Sequence, residues 1–173
     1  MKRILILSIF IIVAGLATFL AIGIAGKIHK SNIVKEKIKT LPSFSFKKLN
    51  DTIYNSNQIK EGPVLILFFH PECEHCQYQI TSFFKKWVQT RDIHVLLVSN
   101  AEKSEIKSFV KENKLPDYPG LIVLVDEADT FRDYFGIEQV PATFIYNKQL
   151  NLVKCFQGEV RPETILKYLR QDD

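Results

Sequence analysis

The chain has little cysteine, glycine or proline: three of the first and seven of each of the others in 173 residues. Three cysteines are too few for a disulfide-stapled fold. So few glycines and prolines exclude a collagen-like or low-complexity chain. A large excess of charge of one sign is also missing from most of the sequence. The first 42 residues carry seven Lys/Arg against one acid, Glu36, which leaves sixteen bases against eighteen acids in the rest. A nucleic-acid groove needs a clustered positive surface, so no nucleic acid is expected as a partner of this slightly acidic part. What is present, 46% hydrophobic and 24% charged residues, suits a globular domain with a core of its own.

Lys2 and Arg3 precede an uncharged run, Ile4–Gly26. As a helix this run reaches about 35 Å, against a hydrocarbon core of about 30 Å. Soluble helices rarely lack a polar face over such a length. A cleaved signal is the nearer alternative. Its apolar region is usually about 7–15 residues, shorter than this run, although Gly23 and Ala25 are small enough for a cleavage site. Residues 1–26 are therefore expected to be an uncleaved N-terminal transmembrane anchor. Residues 27–41, with Lys27, Lys30, Lys35, Lys37 and Lys39, read as a basic juxtamembrane spacer that can touch anionic headgroups. Residues 42–173 form the expected folded domain. Charge alone does not orient the anchor, because basic residues flank both ends. An extracytoplasmic (periplasmic-side) domain on a single-pass cell-membrane anchor is expected from the chemistry below.

Beyond Pro42 the pattern alternates between strands and helices. Phe44 and Phe46 alternate with polar residues, Asn50-Asp51 makes a turn, and Thr52–Tyr54 returns as a hairpin partner. The apolar run Val64–Phe69 is a strand buried on both faces, and Ile93–Ser99 is a second. Helices are expected over 74–90 and over Ala101–Asn113, where Ile106, Phe109 and Val110 share a face. A third strand, Leu121–Val125, and a short helix, Ala128–Phe135, stopped by Gly136, follow. Ala142–Tyr146 and Leu150–Phe156 flank Asn147-Lys148-Gln149 as a hairpin. Pro162 then stands at the first position of a last helix to Arg170. This order predicts an α/β domain with a mixed central sheet and helices on both faces.

The stretch that carries chemistry is Phe68-Phe69-His70-Pro71-Glu72-Cys73-Glu74-His75-Cys76. A buried strand ends, a turn follows, and a helix begins at a C-x-x-C. Cys76, Ile80, Phe83, Phe84, Trp87 and Val88 fall on one apolar helix face, so Cys76 should be covered. Cys73 lies before the first turn, where free N–H groups and the helix dipole favour an anion. A thiolate on Cys73 would attack a substrate disulfide, and Cys76 would resolve the mixed disulfide. His75, with Glu74 beside it, is a candidate for tuning that thiolate. A protonated His75 would stabilise it and make the disulfide a stronger oxidant.

Further on, Val140-Pro141-Ala142-Thr143-Phe144 places a proline at the start of an apolar strand, where it cannot donate a ladder hydrogen bond. A tight turn with a cis Val140–Pro141 bond solves this. It would put the Val140 backbone beside the dithiol, ready to pair with an extended substrate segment.

Strand, turn, C-x-x-C, helix and a later V-P-A-T-F before a hairpin resemble the thioredoxin-like superfamily. The anchor, the preceding hairpin and the helix–strand insertion between the motifs are similar to its membrane-anchored TlpA/ResA-type thiol–disulfide oxidoreductases, or redoxins, over residues 41–170. The resemblance implies a thioredoxin-like fold, Cys73 as attacking thiol, Cys76 as resolving thiol and Pro141 as the cis-proline. It also implies protein dithiols or disulfides as substrates, cytochrome c maturation among them, and a membrane or soluble redox partner. No organic cofactor and no metal are expected, since the electrons reside in the cysteine pair. The chain departs from the family pattern at Glu72, where Trp is common, at Glu74-His75 in place of Gly-Pro or Glu-Pro, at Leu67 in place of an acid, and at Gln79 in place of a Glu. The usual proton acceptors for the covered thiol are thus missing.

Two other functions compete. Cys73 and Cys76 with His70 or His75 could ligate zinc or Cu(I), as in a metallochaperone or binding module, but a structural zinc site wants four ligands and no second pair follows. A peroxiredoxin-like peroxidase would have Thr or Ser where His70 stands. Cys155 alternates with apolar residues on the last strand and reads as a small core residue. His70 and His94 read as structural or surface residues, and Trp87 as core.

Overall fold

The computed structural model describes residues 2–87 and 93–170. In its first helix, α1 (Lys2–Lys37), the side chains described are those at 15–23, 25–26 and 31–37. Among the residues whose side chains are described no helix is long and apolar enough to cross a membrane, and much of the Ile4–Gly26 run on which the expected anchor rests lies outside those residues. Of the large apolar side chains described on α1, Leu16, Phe19, Leu20 and Ile22 are each more than half exposed.

A separate compact unit begins at Ile38. It contains β1 (Ser45–Lys48), β2 (Ile53–Asn55), β3 (Val64–Phe68), α2 (Glu74–Lys86), β4 (His94–Ser99), α3 (Lys103–Glu112), β5 (Leu121–Val125), α4 (Thr130–Phe135), β6 (Ala142–Tyr146), β7 (Leu152–Gln157) and α5 (Pro162–Leu169). The strands form one mixed sheet in the order β2-β1-β5-β4-β3-β6-β7. β3 runs parallel to β4 and β4 to β5, while the other neighbours are antiparallel.

Alternation along the central strand divides the core in two. Leu65 and Leu67 join Ile80 and Phe83 of α2, Ile106 and Phe109 of α3 and Ile165 of α5 in one cluster. Phe68 points the other way and stacks on Phe131 of α4, with ring centroids 5.7 Å apart. Helices therefore cover both faces, which is why β3 is apolar at every position rather than at every second one. Strand and helix follow from local chemistry as well. Asn50 Oδ1 accepts from the backbone N–H and the hydroxyl of Thr52 and so closes the β1–β2 turn. Glu102 and Glu105 form a reciprocal capping box at the start of α3. Gly136 ends α4 at φ 63°, in the left-handed region.

Several boundaries differ from the sequence reading. The compact unit starts at Ile38 rather than Pro42: Ile38 is buried, Leu41 N–H donates to Leu150 O, and Leu152 N–H donates to Lys39 O. Residues 39–41, read as spacer because of their basic character, thus lie along the chain that enters β7. β7 begins at Leu152 rather than Leu150, because Leu150 has φ 61° and Asn147 Oδ1 accepts from the N–H groups of Gln149 and Asn151 to make the turn. α2 ends at Lys86 with Trp87 as its cap. The rest of the helix expected to residue 90, Val88 included, lies outside the described residues.

Candidate active site

β3 leaves the sheet at Phe68 and the chain turns through His70 and Pro71 into α2. Cys73 is the N-cap of that helix, with extended φ −80° and ψ 111°, and its sulfur accepts from the Cys76 N–H at 3.3 Å. One of the orphan donors of the first turn is thereby spent on sulfur. Cys73 N–H in turn donates to His70 O at 3.1 Å, which fixes the entry into the helix. Both cysteines are free thiols.

The two sulfurs live in different surroundings. Cys73 is half-buried, while Cys76 is wholly buried in the cluster with Leu65, Ile80 and Phe83. Burial pushes the Cys76 thiol up to about 12, its hydrogen bond to the Cys73 sulfur adds to the rise, and the His70 backbone opposes it. A proton is therefore held firmly at Cys76.

Ala142 pairs with Phe68 across β3 and β6, so Val140-Pro141 and the turn to Cys73 lie at the same end of adjacent strands. The Val140–Pro141 peptide is cis. Pro141 is buried, and its carbonyl accepts from Gly158 N–H at 2.8 Å.

His75 and Glu74 project from the first turn of α2 and are exposed. His75 Nδ1 lies 2.6 Å from Glu159 Oε2. Among the described residues no group of three or more His, Cys, Asp and Glu is placed to hold a metal ion. Cys155 is half-buried on β7 opposite Phe144, away from the C-x-x-C turn in sequence and strand position.

Glu159 escaped the sequence reading, and Gln79 was named there only as standing in place of a Glu, without its partners. Gln79, wholly buried on α2, donates through Nε2 to Thr143 Oγ1 at 2.9 Å and accepts at Oε1 from Val160 N–H at 2.6 Å. It ties the cysteine helix to the cis-proline strand and to the loop before α5. The available signal was a polar residue three places from Cys76 on an otherwise apolar face. Glu159 had no local signal, because its partner is 84 residues away.

Residues 38–155 match the model of the AhpC/TSA family. No curated protein matches the chain. Among solved structures, the thioredoxin-family thiol:disulfide interchange protein of Chlorobium tepidum TLS is 19% identical, with a TM-score of 0.65 over 78% of this chain and 95% of that one. The exposed lipoprotein thioredoxin Etrx1 of Streptococcus pneumoniae is 22% identical, with a TM-score of 0.59 over 75% and 98%. The peroxidoxin BcpB of Mycobacterium tuberculosis is 18% identical, with a TM-score of 0.63 over 76% and 94%. At these identities the neighbours share the thioredoxin-like fold, and the family match covers more than half of the sequence. The chain belongs to the AhpC/TSA family, as a thioredoxin-like thiol–disulfide oxidoreductase.

Proposed function

We propose that the chain is a membrane-tethered, extracytoplasmic oxidoreductase that exchanges disulfides with protein thiols through Cys73 and Cys76. One observation carries this reading: the inequality of the two sulfurs, one capping a helix at the surface and the other buried against hydrocarbon with its proton held tightly. In the reducing direction the Cys73 thiolate attacks one sulfur of a substrate disulfide. The substrate S–S bond breaks, its other sulfur leaves as a thiolate that takes up a proton, and a Cys73–substrate disulfide forms. Cys76 then gives up its proton and attacks the Cys73 sulfur. The Cys73–substrate bond breaks, the released substrate thiolate takes up a proton, and Cys73–Cys76 is oxidised. In the other direction the enzyme disulfide accepts two electrons from a substrate dithiol. A second dithiol or disulfide partner, in the membrane or soluble, restores the starting state. Val140 offers its backbone to an extended substrate segment, with Pro141 holding it in place.

Among the described residues no carboxylate is hydrogen-bonded to Cys76 to receive its proton. Gln79 stands where an acid would serve, and Glu72 and Glu74 are exposed. The departing substrate thiolate is the acceptor this arrangement leaves.

Tethering is supported by the uncharged run Ile4–Gly26 and by the exposed Leu16, Phe19, Leu20 and Ile22 of α1, an apolar patch that a soluble chain would cover. An extracytoplasmic site agrees with the neighbour described as an exposed lipoprotein. A disulfide reductant or oxidant also has clients on that side of the membrane.

Single-cysteine variants of the 173-residue chain test the mechanism. Cys73→Ser abolishes mixed-disulfide formation and insulin-disulfide turnover. Cys76→Ser still forms the mixed disulfide and traps it. Turnover by both variants would overturn the reading. Rapid, thiol-dependent consumption of hydrogen peroxide without disulfide exchange would instead favour a peroxidase. A reduction potential near about −120 mV marks an oxidant and one near about −270 mV a reductant.

A further inference from the structure

His75 stands between the two cysteines, yet its ring is held by a residue far along the chain. Nδ1 lies 2.6 Å from Glu159 Oε2. Glu159 itself sits between two anchored backbone points. Gly158 N–H donates to Pro141 O at 2.8 Å, and Val160 N–H donates to Gln79 Oε1 at 2.6 Å. Gly158 adopts φ +93°, a conformation that L side chains rarely take, and so turns the chain between those points. The same residues that join α2 to the cis-proline segment thus deliver one carboxylate to the imidazole of the C-x-x-C turn.

We propose that Glu159 is a positioning and charge-compensating residue of the dithiol site, holding the His75 ring and cancelling its positive charge beside Cys73. This inference rests on the reading of Cys73 as the attacking thiol. With its ring protonated, His75 and Glu159 together present zero net charge to the thiolate instead of an isolated imidazolium. Removing His75 alone leaves an uncompensated carboxylate near the sulfur and disfavours its anion. Removing Glu159 as well returns the local charge to zero. The exposed Glu72 and Glu74 are common to all these proteins and drop out of the comparison. One unit of charge at the range of a neighbouring turn alters the thiolate fraction about three- to tenfold.

Alkylation of the reduced 173-residue chain with iodoacetamide at about pH 7, resolved by peptide mass spectrometry, reads this directly, since only the thiolate reacts. His75→Ala should slow labelling of Cys73 about three- to tenfold. His75→Ala/Glu159→Gln should recover to within about twofold of the wild type, and Glu159→Gln alone should label no more slowly than wild type. A double variant as slow as His75→Ala overturns the inference, as does an unchanged rate in His75→Ala. A purely structural role for Glu159 would give a defect in Glu159→Gln without rescue, which also overturns it. The wild type, equilibrated with a glutathione buffer, keeps the two failures apart. If the wild-type pair does not cycle and its thiols label equally, the reading of the dithiol itself falls. If the wild type cycles but rescue is absent, only the role of Glu159 falls.

Discussion

Burial raises the Cys76 thiol to about 12, and the side chain three places further on, Gln79, donates and accepts hydrogen bonds without being able to take a proton. That gives the reduced protein a pH dependence of definite sign. An unfolded cysteine titrates near about 8.5. Between that value and about 12 the folded state keeps a proton that the unfolded state has lost. The stabilising contribution is therefore whole below about pH 8.5 and is lost as pH rises toward the folded value. Reduced wild type should lose about 5 °C more in Tm between pH 8 and pH 10.5 than reduced Cys76→Ser. Tyr54, also pushed up to about 12 by burial, acts in the same direction in both proteins and cancels in the comparison. Parallel Tm profiles from calorimetry would mean that Cys76 titrates as freely as in the unfolded chain. The burial itself was legible from sequence, because an apolar helix face is a local pattern and Cys76 is in phase with it. The pairing of Gln79 with Thr143 and Val160 was not, because side-chain hydrogen bonds between distant segments leave no periodicity.

Among the elements, α4 is the one least able to form by itself. It has six residues, fewer than a helix needs to repay its nucleation in isolation. Tertiary packing and a buried carboxylate hold it. Phe131 and Phe135 stack with centroids 3.9 Å apart and meet Phe44 and Phe144 edge-on. Asp126, 1% exposed, accepts from Thr130 N–H at 3.1 Å, from its hydroxyl at 3.0 Å and from Phe131 N–H at 2.7 Å. A carboxylate so placed satisfies orphan donors and faces the positive end of the helix. Asp126→Ala leaves buried N–H groups unpaired and should cost about 2–4 kcal/mol, read from urea denaturation. Asp126→Asn keeps one acceptor and should cost less. A loss below about 0.5 kcal/mol in Asp126→Ala would show that the aromatic stack holds α4 alone. The helix was visible in the sequence between Ala128 and Gly136. The carboxylate that holds its first turn was not, since Asp126 stands four residues before Thr130, directly after the strand Leu121–Val125. Residues 39–41 were misread for a related reason. Edge pairing uses the backbone, so polar side chains such as Lys39 and Thr40 hide it.

At the scale of the whole chain, the sequence divides between Lys37 and Ile38 into two compact units, and each makes its own demand on solvent. The unit from Ile38 onward buries most of its large apolar residues, on both faces of its sheet, one cluster running from Leu65 to Leu169. In the N-terminal unit the described side chains of Leu16, Phe19, Leu20 and Ile22 are exposed on α1. Water is a poor environment for such a helix and hydrocarbon a good one, at about 25 cal/mol per Å² of apolar surface. An anchor held by that energy resists carbonate extraction, because high pH removes electrostatic attachment and leaves apolar insertion intact. The 173-residue chain expressed in a bacterial membrane should therefore stay in the carbonate pellet. Limited trypsin digestion of the same membranes should cut in the lysine-bearing segment 27–37, since Lys35 and Lys37 are exposed in the last turn of α1. The fragment released should begin near residue 36 or 38 and keep disulfide exchange, because Cys73, Cys76, Pro141 and Gln79 all lie in the second unit. Carbonate release of the undigested chain would overturn the tethering. Loss of exchange on digestion, with Cys73–Val160 intact by mass, would show that the dithiol depends on the N-terminal unit.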